Sequence, residues 1–160
     1  MRGARIAATA WAAICGIALA AAAPVPQTIS HPASPTLVID SDIARFWIAF
    51  DAINATDDPA ERLHLIRTLY IEPGTPGLHA LMAARRYTDP QYVDAIARWP
   101  KFWTSVRPLT ARSRAAVATL NADVARFRRL YPELRPAWIT YAIGGLRTGG
   151  TTMADKVLIG

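Results

Sequence analysis

The chain has 160 residues, 52% hydrophobic and 19% charged, with a formal net charge of +6 and a single cysteine. That length and composition suit one packed domain and exclude extensive disorder. Sixteen of the eighteen basic residues are Arg, beside abundant Ala and Pro, as GC-rich bacterial coding gives; Arg126, Arg128 and Arg129 form no recognisable binding motif, so no nucleic-acid partner is expected.

Residues 1–22 read as a secretory signal peptide. Arg2 and Arg5 precede an almost wholly apolar run from Ile6 to Ala23, and Ala20 to Ala23 put small residues before Pro24. Charge, apolar stretch and small residues in that order mark export, to the periplasm or beyond. Proline is poorly tolerated as a first mature residue, so the cut is placed after Ala22. A retained anchor is the alternative, because the run approaches the roughly 17–25 residues of a spanning helix, but its richness in Ala favours cleavage. Bulky Ile14 before Cys15 disfavours lipidation. Cleavage would remove Cys15 and with it any disulfide or Cys-ligated zinc. Residues 23–35 carry Pro24, Pro26, Pro32 and Pro35 and read as an extended linker.

The domain begins near Thr36 with a brief strand, Leu37-Val38-Ile39. Asp40 or Ser41 then caps a helix whose apolar positions Ile43, Phe46, Trp47, Phe50 and Ile53 recur every three or four residues. Asp58, Pro59 and Glu61 predict a second helix to about Tyr70, with Leu63, Ile66 and Leu69 inward. Thr75-Pro76 starts a third, carrying Leu78, Leu81 and Met82. Asp89-Pro90 starts a fourth, with Val93 and Ile96 inward, and Trp99-Pro100 ends it. Lys101 to Val106 allow one further turn. Thr110 is the expected cap of the longest helix, with an apolar stripe of Val117, Leu120, Val124, Phe127 and Leu130 or Tyr131, closed by Pro132. After Arg135-Pro136 the period changes, and Ala137 to Ile143 read as a strand. A Gly-rich loop, Gly144 to Thr152, leads into a last apolar strand, Lys156 to Ile159. The expected fold class is α+β, mostly helical with a short sheet at the end.

No local chemistry stands out. His31, His64 and His79 lack the i, i+4 spacing by which two histidines grip one zinc ion. There is no Gly-x-Ser-x-Gly elbow, and no Cys remains to pair with a His. Asp40 with Asp42, and Asp57 with Asp58, lie at helix starts and read as caps. The Gly-rich loop lacks the Gly-Lys-Ser/Thr ending of a phosphate loop and precedes a strand, so it reads as a turn needing positive φ. Trp47 and Trp138 fit apolar stripes and read as core. Trp99, Trp103, Tyr87 and Tyr92 leave a sugar-binding platform open as the lesser alternative.

Three groups of residues together suggest a family. They are Asp42-Ile43-Ala44-Arg45-Phe46-Trp47-Ile48-Ala49-Phe50-Asp51-Ala52-Ile53; Tyr70-Ile71-Glu72-Pro73-Gly74-Thr75-Pro76-Gly77-Leu78; and Tyr131-Pro132 with Ile143-Gly144, Gly149-Gly150-Thr151 and Leu158-Ile159-Gly160. In this order they resemble exported bacterial proteins predicted to be zinc-dependent proteases, distantly similar to the gliding-motility lipoproteins. The resemblance implies a zincin-like architecture and, in a full-length protein, a zinc ion on a His-Glu-x-x-His helix after the Ile-Gly strand, acting on a peptide or protein substrate. No catalytic residue and no metal ligand can be placed in this chain, which is expected to be inactive alone. The resemblance also implies a substrate-binding edge strand and turn: Gly149, Gly150, Thr151, Val157, Leu158 and Ile159.

A strand at the carboxyl end, read as unpartnered, leads to two further expectations: that the chain is the N-terminal part of a longer protein, and that alone it is poorly soluble. The rival is a non-catalytic exported or envelope-associated binding or structural module, entering a membrane only through an uncleaved signal segment.

Overall fold

The computed structural model describes residues 37–160. The signal segment, the linker, Cys15 and His31 lie outside the described residues. Asp58, Thr75 and Thr88 stand at the starts of three helices, each with a proline in its first turn, where the missing N–H has no intrahelical role. The elements are β1 (Leu37–Ile39), α1 (Ser41–Asn54), α2 (Pro59–Ile66), a π-helical turn Arg67–Ile71, α3 (Pro76–Arg85), α4 (Asp89–Arg98), α5 (Pro100–Thr110), α6 (Ser113–Leu130), β2 (Trp138–Tyr141), β3 (Gly150–Met153) and β4 (Lys156–Ile159). The fold is α+β: a helical body, then a small sheet completed by β1.

Local chemistry sets these helices, with several departures from expectation. Asp58 caps α2, its carboxylate accepting the Ala60 N–H at 2.9 Å. The cap of α4 is Thr88 rather than Asp89: the Thr88 N–H donates to Gln91 Oε1 at 3.1 Å, while Asp89 pairs with Arg67. Where α2 was expected to continue evenly to Tyr70, the Glu72 N–H bonds back to Arg67 O at 2.8 Å, five residues away. That wider turn swings Tyr70 fully into the core and leaves Leu69 half-buried. Asp42 does not cap its own helix. It is fully buried, and its carboxylate accepts from the Thr75 N–H and hydroxyl and from Arg45, tying the start of α3 to the first turn of α1.

Lys101–Val106 proves part of a full helix, α5, because Pro100 occupies its first turn and Pro108 comes only in its last. Thr110 therefore ends α5 instead of capping α6. Its hydroxyl accepts from Trp47 Nε1 at 2.8 Å and donates to Arg107 O at 2.7 Å. Phe46, Trp47, Ile53, Ile66, Tyr70, Leu78, Leu81, Tyr92, Ile96 and Trp103 form the core. Trp47 and Trp103 belong to it as apolar stripe residues; Trp138 is exposed on the sheet.

The sheet order is β1-β2-β4-β3. β1 and β4 flank β2 in parallel, and β3 pairs antiparallel with β4. β4 is thus an interior strand with partners on both sides, which corrects the expectation of an unpartnered last strand and removes the reason given for poor solubility. One face of the sheet packs on α3 and buries Thr140 and Leu158. On the other, α6 lies against β1, and Tyr141, Val157 and Ile159 remain half-buried.

Candidate functional site

Parallel strands end together, and their carboxyl ends leave a crevice wherever the covering helices diverge. Here β2 and β4 end at Tyr141 and Ile159, and the crevice opens between them, α5 and the start of α6. It is a groove of about 420 Å³ walled by Phe102, Trp103, Val106 and Leu109 of α5, by Tyr141, Ile143 and Ile159, and by Leu146. Phe102, Leu146, Thr148 and Gly160 also line a second depression that carries the groove on to Trp99 and Gly149. Trp99, Phe102, Leu109 and Leu146 are each 42–53% exposed, an apolar track at the surface. Arg112 is the one charged side chain in the main lining, beside Thr110, Ser113 and Thr148.

Two devices hold the walls. Arg107 binds both oxygens of Asp51 at 2.6 and 2.8 Å and lies 5.0 Å over the Trp47 ring, fastening α5 to α1. The hydrogen bond from Arg107 holds the Asp51 carboxyl below its usual range. On the opposite wall, the buried Tyr70 hydroxyl donates to Ile143 O at 2.7 Å and accepts from Ile143 N–H at 3.0 Å, satisfying both backbone groups where β2 ends. Burial, with Tyr92 and Asp42 nearby, pushes the Tyr70 phenol well above its ordinary 10.0, so it stays a donor. Tyr87 receives the Arg147 N–H at 3.2 Å and steadies the same loop.

Replacing Tyr70 by Phe orphans both Ile143 groups and should cost about 1–3 kcal/mol. Above pH 10 the unfolded chain loses its tyrosine proton while folded Tyr70 keeps it, so wild-type stability should fall as pH rises past that value. The Tyr70→Phe variant should show a shallower alkaline fall in urea melts, and equal slopes would refute the assignment.

The residues expected to bind substrate fall in different places. Leu158 is buried against α3, Val157 lies half-buried on the open face, and Ile159 lines the groove. Gly149 sits in the exposed turn at the groove's far end. Gly150 and Thr151 open β3, which, with β1, is an edge of the sheet; the edge is therefore β3 and not Val157–Ile159. The Gly160 N–H bonds to Gly149 O, so alternation along the ladder turns the N–H and C=O of Gly150 and Thr152 outward. Gly150 is already served: Arg85 and Thr148 reach its carbonyl at 2.8 and 2.9 Å, and its N–H meets Thr148 Oγ1 at 3.2 Å. Thr152 is the position left to take a further strand.

Positive φ in this region falls on Leu146 (60°), Ala154 (51°) and Gly150 (148°), while Gly144, Gly145 and Gly149 do not need it. At Gly150 a Cβ would also stand 2.5 Å from Leu158 O, so glycine is required there twice over. Of the α5 groove residues, Trp103 was foreseen only within the lesser sugar-binding alternative; Phe102, Val106 and Leu109, with Tyr141 and Leu146, were not anticipated as a site. The i, i+4 spacing of Phe102, Val106 and Thr110 carried the signal for the α5 wall.

His79 Nε2 lies 2.7 Å from Ile71 O and His64 is exposed on α2. Among the described residues there is no group of three or more His, Cys, Asp or Glu that could hold a metal ion. No protein-family model, curated protein or solved structure matches the chain.

Proposed function

We propose that residues 37–160 are the peptide-seating part of an exported, zinc-metallopeptidase-like protein of zincin-like architecture. The observation that carries this is the meeting of an apolar groove with the first residues of an edge strand: Thr148 lines the groove and bonds Gly150, where β3 begins. An extended peptide could pair with Thr152 and place an apolar side chain in the groove, main-chain bonds giving affinity and the pocket giving choice. Zinc enters only through the resemblance, on a helix these residues do not include. The second reading, a non-catalytic envelope-associated binding module, is favoured by a groove lining with no carboxylate or imidazole side chain; it expects the same binding without cleavage.

The test follows binding by titration calorimetry as acetylated peptides with alternating Leu and Ser are added to the chain. Saturable binding is expected, with the peptide recovered intact. Val106→Trp should abolish it by filling the groove, and Thr152→Pro, which removes an outward N–H at an edge, should weaken it several-fold. Equal binding by all three proteins, or none by the wild type, would refute the proposal.

A further inference from the structure

The expected apolar stripe of α6 is only partly used by the fold. At about 100° per residue, Leu120, Val124 and Phe127 share one face, which Leu130 and Tyr131 extend. Leu120 and Val124 are half-buried, beside Ala137 and Ile139 of the sheet. Past them the helix overhangs: Phe127 is 53% exposed, Leu130 77% and Tyr131 48%. Three neighbouring large apolar side chains in water at one helix end form the kind of patch that contacts a partner.

Charge around the patch identifies the partner. From Val124 to Pro132 the chain has three arginines and no carboxylate. Arg126 and Arg128 lie to either side of Phe127 on the helix, and exposed Arg135 lines the same shallow depression as Phe127. Asp123 lines that depression as well and Glu133 follows Pro132, two acidic groups against the exposed Arg126, Arg129 and Arg135, with Arg128 partly buried beside them. Aromatic and Leu side chains flanked by arginines match a head-group interface, where the rings enter the acyl boundary and the guanidiniums stay with phosphate. Among the described residues no helix is long and apolar enough to cross a membrane, so this contact lies along the surface.

We propose that the C-terminal end of α6 docks on an anionic lipid surface, seating Phe127, Leu130 and Tyr131 at head-group depth with Arg126 and Arg135 on lipid phosphates. A protein partner would be expected to match the apolar patch with carboxylates placed for individual arginines; a lipid surface needs only the excess positive charge beside it.

The apolar run of residues 6–23 can itself enter a bilayer, so the test must resolve residues. Hydroxyl-radical footprinting of the full chain is read by mass spectrometry with phosphatidylcholine vesicles, with vesicles also containing phosphatidylglycerol, and without lipid. Oxidation of Phe127, Leu130 and Tyr131 should fall several-fold with phosphatidylglycerol alone among these conditions and recover at high salt, while exposed Trp99 stays unchanged. Arg126→Gln with Arg135→Gln, both exposed, should lose most of that protection. Equal protection by the two vesicle types would overturn the proposal, as would its absence or its persistence in the double variant. Protection that grows with protein concentration without lipid would assign the patch to a second copy of the chain and overturn it equally.

Discussion

Replacing Trp103 by Ala should lower the free energy of unfolding by about 3–5 kcal/mol, as expected for truncating a large buried aromatic side chain. Trp103 is 2% exposed and carries α5 into the aromatic core, with the rings of Phe46 and Phe102 both 5.1 Å away and Trp47 at 6.2 Å. Its Nε1–H donates to Ala95 O at 2.8 Å, but that carbonyl also accepts the Trp99 N–H at 3.2 Å. Truncation therefore leaves no orphaned acceptor, and the loss comes from the cavity and missing ring contacts. Trp103→Phe keeps much of the packing and should cost less. Since domains of this size hold only about 5–15 kcal/mol in total, the Ala variant should unfold at much lower urea, with its midpoint moved and its slope unchanged. A loss under about 1 kcal/mol would mean that α5 is not anchored this way. The same side chain walls the groove, so Trp103→Phe, which preserves the fold, is the variant in which a change in peptide binding reports on the site itself.

The helices were legible where their starts are written in neighbouring residues. Asp58 before Pro59 and Thr75 before Pro76 specify a cap and a pre-set φ within two positions, and no tertiary contact is needed to read them. α5 was obscured by its own prolines: Pro100 looks like the end of α4 and is the first turn of α5. The π-helical turn had no local mark, because its cause is the demand that Tyr70 reach both backbone groups of Ile143, 73 positions away. Strand pairing was the least legible. Nothing in the period of Lys156 to Ile159 says that it will insert between β2 and β3, and Gly150-Thr151-Thr152-Met153 has too little apolar alternation to announce a strand. Of the expected site, Gly149 and Ile159 reach the groove and Gly150 and Thr151 reach the edge, whereas Leu158 is spent on the core. The groove itself is a meeting of α5, α6 and strand ends that only the fold brings together.

Gly77→Ala should be nearly as damaging as loss of the Trp103 ring, at about 3 kcal/mol, the upper end of overpacking costs. Gly77 is buried in the first turn of α3 where it meets β2, and an added Cβ would stand 2.1, 2.5 and 2.6 Å from Oγ1, Cβ and Cγ2 of Thr140. Alanine's better helix propensity returns at most about 1 kcal/mol, so the clash wins. Thr140 cannot retreat: it is 2% exposed, stiff at χ1 through its branched Cβ, and held in a strand paired on both sides. Rescue should therefore be graded. Thr140→Ala in the Gly77→Ala background removes Oγ1 and Cγ2 but leaves a Cβ at 2.5 Å, so recovery is partial. Thr140→Gly removes that atom too and should recover more, although glycine within a strand is itself unfavourable. Urea melts of the single and double variants give the coupling directly. If neither second substitution improves on Gly77→Ala, the close approach of α3 to β2 is not what glycine serves there. If the graded order holds, Gly77 sets the distance from α3 to the strand whose next residues, Tyr141 and Ile143, form the groove wall, and a site-binding loss in Gly77→Ala should be recovered in the same order as stability.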